Sequence, residues 1–165
     1  MIYTIGYSNR SLPEFLNELH GRGITQLWDV RSSPWSRNAP FNAPKIEMWA
    51  ESEGIFYHRC GDVLGGRSEV PLNDPKYLDG LEQILAASSR EPLAIMCAEG
   101  DPSQCHRTYD IGASLLIKLK VVVRSILRDG KEESVEKTLG RVPASWFNSE
   151  IGAALNRQVD LFPPK

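Results

Sequence analysis

The chain has 165 residues, the size of one ordinary domain. Its hydrophobic fraction of 41% and its charged fraction of 24% are typical of a globular protein. The net charge of −2 supplies no overall basic field that would attract nucleic acid, so contact with a phosphate would require a local cluster of arginines.

Three cysteines at irregular spacing argue against a secreted disulfide scaffold. The first residues lack a basic stretch followed by a long apolar run, so no signal peptide is predicted. No window approaches the roughly 18 apolar residues of a membrane span. We therefore expect a cytoplasmic protein that makes no membrane contact.

Short apolar runs alternate with segments that carry helix start signals. The predicted strands are residues 2–5, 25–30, 55–58, 93–97 and 121–126. The predicted helices begin at the capping box of Ser11 and Glu14, at Asp74-Pro75, and near residues 103–105. This alternation predicts a Rossmann-like α/β fold, in which helices cover both faces of an open, mostly parallel five-stranded sheet as three layers.

The predicted α/β domain spans residues 1–142, and residues 143–165 form a C-terminal appendage that ends in a tail peptide. Residues 32–44 hold three prolines and are interpreted as an ordered loop. No internal repeat or long linker interrupts the domain.

Polar residues follow four of the predicted strands. Ligands of open α/β sheets bind outside the carboxyl ends of the strands, so we expect these residues to line one cleft. The predicted substrate-binding residues are Tyr7, Ser8, Arg31, Arg37, Arg67 and Arg107. For Arg31, a structural ion pair with Asp29 is the alternative.

Residues 97–107 carry the strongest local signal, Cys-Ala-Glu-Gly-Asp-Pro-Ser-Gln-Cys-His-Arg. An apolar strand brings Cys97 to the edge of the sheet, and Cys105 falls near the first turn of the next helix, where free N–H groups favour a thiolate or a bound anion. Glu99 is a candidate general acid or base. The predicted catalytic residues are Glu99, Cys97, Cys105 and His106, although Cys97 could instead be a small buried hydrophobe.

Spacing excludes several familiar cysteine chemistries. A phosphatase or sulfurtransferase loop would place an arginine at position 103, which is Ser103. A Cys-x-x-Cys pair and the zinc-deaminase signature are both absent. Zinc held by Cys97, Cys105 and His106 would need a fourth ligand, such as His58 or Cys60, and adjacent residues on a helix diverge by about 100°. We therefore predict no metal ligands, and the sequence contains no cofactor motif.

The chain ends in Gln158-Val-Asp-Leu-Phe-Pro-Pro-Lys. A glutamine followed by two apolar anchors resembles the peptide by which bacterial proteins dock on the replication sliding clamp. The predicted docking residues are Gln158, Leu161 and Phe162. The alternative is that Leu161 and Phe162 fold back onto the domain.

An ordered series of short motifs between residues 2 and 130 resembles the prokaryotic family catalogued as domain of unknown function 488. The motifs include Thr4-Ile-Gly-Tyr-Ser8, Asp29-Val-Arg31, Leu64-Gly-Gly66, Cys97-Ala-Glu99 and Cys105-His-Arg107. The resemblance implies a compact α/β fold but names no reaction. It points to a set of residues for testing: Arg31, Arg37, Cys97, Glu99, Cys105, His106 and Arg107.

Two functional hypotheses fit these residues. The first is an enzyme acting on a phosphate-bearing substrate, a nucleotide or a nucleic-acid end, at an anion-binding site with arginine clamps, Glu99 as acid or base, and the thiols as nucleophile or support. The second is a non-catalytic DNA-repair or replication accessory that docks on the sliding clamp. A redox or metal-sensing protein is a third possibility, which requires the two thiols to lie close together.

Overall fold

The structure is a computed structural model that describes residues 1–8, 10–142, 145–146, 149 and 151–153. The described residues form a six-stranded sheet in the order β3-β2-β4-β1-β5-β6. The strands are β1 (Ile2–Gly6), β2 (Gln26–Asp29), β3 (Phe56–Arg59), β4 (Leu93–Cys97), β5 (Val123–Ile126) and β6 (Glu132–Ser134).

The five predicted strands are all present, and they are parallel to one another. The sheet also has a strand that was not predicted, because β6 is short and begins with two glutamates. It pairs antiparallel to β5 through a tight turn at Gly130, whose φ of 77° is readily adopted only by glycine. The sheet is therefore mostly parallel, but it has six strands instead of five.

Helices connect the strands. They are α1 (Leu12–His20), α2 (Ala43–Ser52), α3 (Gly61–Leu64), α4 (Pro75–Ser88), α5 (Ala113–Leu119) and α6 (Val135–Leu139). The predicted capping box at the start of α1 is confirmed, because the Ser11 hydroxyl accepts from the Glu14 N–H and the Glu14 carboxylate accepts from the Ser11 N–H. At α4, the carboxylate of Asp74 accepts from the N–H of Lys76.

The predicted loop of residues 32–44 ends earlier than expected. A 3-10 turn forms over Ala39–Phe41, and α2 begins at Ala43 with a proline in its first turn. No helix was predicted here, because α2 has no side-chain cap and its buried face is narrow, with Ala43, Ile46 and Ala50 inside.

The core has two parts, one on each face of the sheet. Helices α1 and α2 bury residues such as Phe15 and Ile46 against one face. Helices α4, α5 and α6 bury residues such as Leu81, Leu115 and Leu139 against the other. The predicted three-layer architecture is therefore confirmed. None of the helices among the described residues is long and apolar enough to cross a bilayer.

The strand order locates a crevice between β2 and β4, which are neighbours in the sheet. The chain leaves β2 toward β3 on one side and leaves β4 toward β5 on the other. The two connections therefore diverge and leave a gap above the carboxyl ends of these strands. Such a topological switch point is where open α/β sheets bind their ligands.

Candidate active site

An open cleft of about 570 Å³ lies at this switch point. Most of the predicted site residues line it, namely Tyr7, Arg31, Arg67, Cys97, Glu99, Cys105 and His106. They come from the ends of β1, β2 and β4, from the segment after α3, and from the turn that follows β4. The cleft therefore gathers residues that are far apart in the sequence.

Two thiols and an imidazole meet in the wall of this cleft. The Nδ1 atom of His106 lies 3.9 Å from the Sγ of Cys97 and 3.7 Å from the Sγ of Cys105. The three potential ligand atoms all lie within 4.8 Å of one another. We call Cys97, Cys105 and His106 the Cys–His cluster.

The expected divergence of Cys105 and His106 on a helix was wrong. The chain first makes a 3-10 turn over Pro102–Gln104, and Cys105 is extended, with φ −128° and ψ 136°. Helical geometry starts only at His106, followed by a π-helix over Arg107–Gly112 and then α5. Because Cys105 lies outside the helix, its side chain and that of His106 can point to the same place.

The orientation of His106 is fixed from two sides. Its Nε2 lies 3.1 Å from the carbonyl oxygen of Val30 just beyond β2, so the neutral ring carries its proton on Nε2 and leaves the lone pair of Nδ1 for the sulfurs. Gly66 packs on the ring so closely that a Cβ there would lie 2.8 Å from the imidazole Cγ. The missing side chain at Gly66 thus makes room for the imidazole.

The two thiols influence each other's ionisation. Hydrogen bonding to Cys105 and burial raise the pKa of Cys97. The hydrogen bond donated by Cys97 lowers the pKa of Cys105 against the opposing effect of burial, and the positive charge of Arg107 acts in the same direction as the hydrogen bond. The pair therefore favours a state in which Cys97 keeps its proton and Cys105 is a thiolate.

Arg31 is buried and forms an ion pair with Asp29, which was the predicted alternative to a role in substrate binding. Its Nε and Nη2 donate to the carboxylate of Asp29, at 2.8 and 2.5 Å, and its Nη1 donates to the Tyr7 hydroxyl and the Phe41 carbonyl. Most of its N–H groups are thus occupied, and Asp29 balances its charge. Arg31 shapes the cleft wall and offers little free charge to a ligand.

Arg107 is fully buried, and it does not line the cleft. Its guanidinium donates to the carbonyl oxygens of Glu99 and Gly100, at 2.5 and 3.3 Å. A Cβ on Gly6 would lie 1.8 Å from the same Glu99 oxygen, so β1 also approaches this turn closely. Arg107 therefore holds the turn that carries Glu99, and it is a positioning residue.

The remaining predicted residues are exposed or only partly buried. Arg67 lines the cleft, and its guanidinium makes no ion pair with any residue that the structure describes. Glu99 is exposed, and its carboxylate accepts from the N–H of Asp101 at 3.0 Å. Ser8 lines a neighbouring pocket that shares Glu99, and Arg37 is exposed outside the lining of the cleft. Arg67 is thus the predicted arginine that leaves its charge available in the cleft.

Residues 11–73 match the family model described as Domain of unknown function DUF488. The resemblance predicted from the motifs is confirmed over this segment, which covers less than half of the chain. The DUF488 segment contains Arg31, Arg67 and Gly66 but neither the thiols nor His106 of the Cys–His cluster. Comparison with curated proteins and with solved structures found no match.

Among the cleft residues that were not predicted from the sequence, three stand out by what they contribute, namely Gly66, Trp35 and Tyr109. Gly66 lies in a motif of the DUF488 segment, but its contact with His106 cannot be inferred from the motif. Trp35, which is 69% exposed, lines the cleft from the proline-rich loop. Tyr109 lines it from the π-helix. A large aromatic residue in a polar loop, such as Trp35, was the one signal that could have been used.

An unpredicted carboxylate with a perturbed pKa lies beside the cleft. Burial raises the pKa of Asp110 to about 6. The side chain lines a neighbouring pocket together with Gly66 and Tyr77.

The predicted docking residues Gln158, Leu161 and Phe162 lie outside the described residues. His58 and Cys60, considered above as a fourth zinc ligand, are held elsewhere. The ring of His58 stacks on Trp28, and the Cys60 thiol donates to the Asp29 carbonyl.

Proposed function

We propose that the chain is an enzyme that acts on a phosphate-bearing substrate, a nucleotide or a nucleic-acid end, in the cleft between β2 and β4. The proposal is carried by the convergence of Cys97, Cys105, His106, Glu99 and Arg67 on one open cleft. Grouping of nucleophilic, acid–base and cationic side chains at a switch point is typical of catalytic sites.

Substrate binding is assigned to Arg67 and Trp35. The free guanidinium of Arg67 can make charge-assisted hydrogen bonds to a phosphate. The exposed indole of Trp35 offers a flat apolar surface on which a nucleobase can stack. A cation and an aromatic ring on the same cleft favour a nucleotide over inorganic phosphate alone.

Glu99 is assigned the role of general acid or base. Its carboxylate faces the cleft, and the Asp101 N–H together with the Arg107 contact to the Glu99 carbonyl fixes the turn that carries it. The Cys–His cluster supplies the reactive group in the same cleft. An oriented proton acceptor and a nucleophilic centre on one cleft are the elements that acid–base catalysis needs.

The test is a turnover assay on nucleoside mono-, di- and triphosphates and on oligonucleotides with 5′- or 3′-phosphate ends. Glu99→Gln keeps an oxygen that accepts from the Asp101 N–H, so the turn stays intact while the acid or base is lost. We expect kcat/KM to fall about 100-fold or more. The matched control is Glu82→Gln on the exposed side of α4, which should change nothing.

Equal activity of Glu99→Gln and the wild type would remove Glu99 from the chemistry. A wild-type protein that turns over no member of the panel and binds none of them saturably would contradict the proposed function as a whole.

A second candidate function is a non-catalytic DNA-repair or replication accessory that docks on the bacterial sliding clamp. It is supported by the peptide pattern of Gln158, Leu161 and Phe162, a hydrogen-bonding side chain followed by two apolar anchors. It does not exclude the first, because an enzyme can also be recruited through a tail.

A further inference from the structure

We infer that Cys97, Cys105 and His106 form a zinc site whose fourth coordination position opens into the cleft. The binding of the ion is independent of the function proposed above, whereas any use of the ion in chemistry rests on that function.

The distances in the Cys–His cluster are close to those of a tetrahedral zinc site. With Zn–S of about 2.3 Å and Zn–N of about 2.0 Å, neighbouring S and N ligands are roughly 3.6 Å apart. The two Sγ···Nδ1 distances, 3.7 and 3.9 Å, are within a few tenths of an ångström of this value. The two sulfurs lie within 4.8 Å of each other, against about 3.8 Å in a tetrahedral site, so a movement of up to about 1 Å would complete the geometry. Two thiolates and an imidazole are a donor set that suits zinc, and carboxylate-preferring ions such as Mg²⁺ and Ca²⁺ are disfavoured by it.

The imidazole is already set for metal binding. Its Nε2 is engaged by the Val30 carbonyl, which fixes the tautomer and turns the Nδ1 lone pair toward both sulfurs. Zinc-bound histidines commonly make such a second hydrogen bond, which orients the ring and raises its basicity. The cluster therefore has both its three potential ligand atoms and the hydrogen bond that orients the histidine ligand.

The fourth position points to solvent or substrate. Among the described residues, only three side chains belong to this group of close ligand atoms. All three line the cleft that Glu99 and Arg67 also line. Zinc sites with three protein ligands and one open position are typical of catalysis, whereas structural sites are closed by four.

A disulfide between Cys97 and Cys105 is the competing use of the two thiols. It would require an S–S bond of about 2.05 Å and would leave the Nδ1 lone pair of His106 without a partner. Both cysteines are free thiols. The position of His106 between the two sulfurs therefore favours the metal.

The test uses the full chain, stripped with a chelator, reduced, and titrated with Zn²⁺ alone in competition with a chromophoric chelator. We expect one Zn²⁺ per chain. Cys105→Ser and His106→Gln should each weaken binding about 100-fold or more. Cys60→Ser is the matched control and should bind as the wild type, because Cys60 lies outside the cluster.

Co²⁺ supplies a second readout that does not depend on affinity. Bound by two thiolates and an imidazole, it should show sulfur-to-metal charge-transfer absorption and the intense visible bands of a tetrahedral site. Both should be lost in the double variant Cys97→Ser/Cys105→Ser, which leaves no thiolate in the cluster, while circular dichroism verifies that the variant is folded. Octahedral Co²⁺ bands in the wild type would overturn the proposal.

Other outcomes separate the metal site from the proposed enzyme activity. The metal site is overturned if Cys105→Ser binds zinc as tightly as the wild type, or if the reduced wild type binds no zinc. A Cys97–Cys105 disulfide together with no zinc affinity after reduction would overturn it as well. Bound zinc in a chain that neither turns over nor saturably binds any member of the panel keeps the metal site and contradicts the enzyme. Turnover by a reduced chain that binds no zinc keeps the enzyme and overturns the metal site.

Discussion

Gly66 lies where any side chain would collide with the imidazole of His106. A Cβ would lie 2.8 Å from Cγ and 2.9 Å from Nδ1. The φ of Gly66 is not positive, so its backbone conformation is open to alanine. The strain in Gly66→Ala would therefore come only from the contact between the new Cβ and the imidazole of His106. We predict that Gly66→Ala displaces the ring from the two sulfurs and weakens Zn²⁺ binding by roughly 10- to 100-fold.

The measurement is the same Zn²⁺ competition titration. Ser33→Ala is the control, because Ser33 also lines the cleft but is not one of the close ligand residues found in the described part of the chain. Wild-type affinity in Gly66→Ala would show that the ring can move aside without loss of ligation.

The raised pKa of Asp110 predicts that the stability of the protein falls as the pH rises. Because burial raises this pKa to about 6, from an ordinary value of 3.8, the folded state holds the proton more tightly than the unfolded state. The associated stabilisation is complete below the ordinary pKa and is lost as the pH rises through 6. Asp110→Asn, which cannot ionise, should therefore gain stability relative to the wild type by about 2 kcal/mol between about pH 4.5 and pH 7.5.

Urea unfolding of both proteins at the two pH values measures this difference. Asp79→Asn on the exposed face of α4 is the control, and its difference from the wild type should not follow the same pH dependence. A difference between Asp110→Asn and the wild type that stays constant with pH would contradict the assignment to Asp110.

At the level of elements, the regular parts of the fold were predictable from the sequence. The buried strands are short apolar runs, and α1 and α4 carry side-chain caps that act over three residues or fewer. The α2 helix lacks such a cap, and β6 lacks an apolar run, so both were missed. Local sequence signals identify a helix only where side chains cap the free N–H groups at its start, and a strand only where it contains a continuous apolar run.

The segment between β4 and α5 shows where sequence reasoning failed. A helix starting near residues 103–105 was predicted, but Cys105 is extended and a π-helix follows. The Asp101 carboxylate accepts from the Ser103 N–H, and the buried Arg107 holds the preceding turn by its carbonyl oxygens. These hydrogen bonds join residues of the segment to one another and hold the segment at the end of the sheet. Helical periodicity in the sequence contains no information about them.

The location of the candidate site was easier to predict than the roles of its residues. The rule that ligands bind at the carboxyl ends of strands needs only the element order, and it brought Cys97, Glu99 and Tyr7 to one cleft. An arginine near a strand end, however, looks the same in sequence whether it faces solvent or the interior. Arg31 and Arg107 proved to be occupied by internal oxygens, which only the packed structure reveals.

On the scale of the whole molecule, the tail makes a prediction that is independent of the cleft. Deletion of residues 158–165 should abolish binding to a purified bacterial sliding clamp, because it removes Gln158, Leu161 and Phe162 together. The measurement is the binding of the full chain and of the deletion variant to surface-immobilised clamp. The double variant Leu161→Ala/Phe162→Ala should reproduce the loss of binding.

Lys165→Ala is the matched control for the tail and should bind as the full chain does. Undiminished binding after the deletion would exclude docking through this peptide. The deletion should leave turnover in the cleft unchanged, which separates recruitment from catalysis.

The position of β1 has a consequence for how the chain folds as it leaves the ribosome. This first strand pairs with β4 on one side and with β5 on the other, so neither of its partners exists until residues 93–126 have been made. At about 5–20 residues per second, the apolar face of β1 waits on the order of ten seconds for its neighbours. During that interval α1 and α2 are the elements already made that can cover one face of β1.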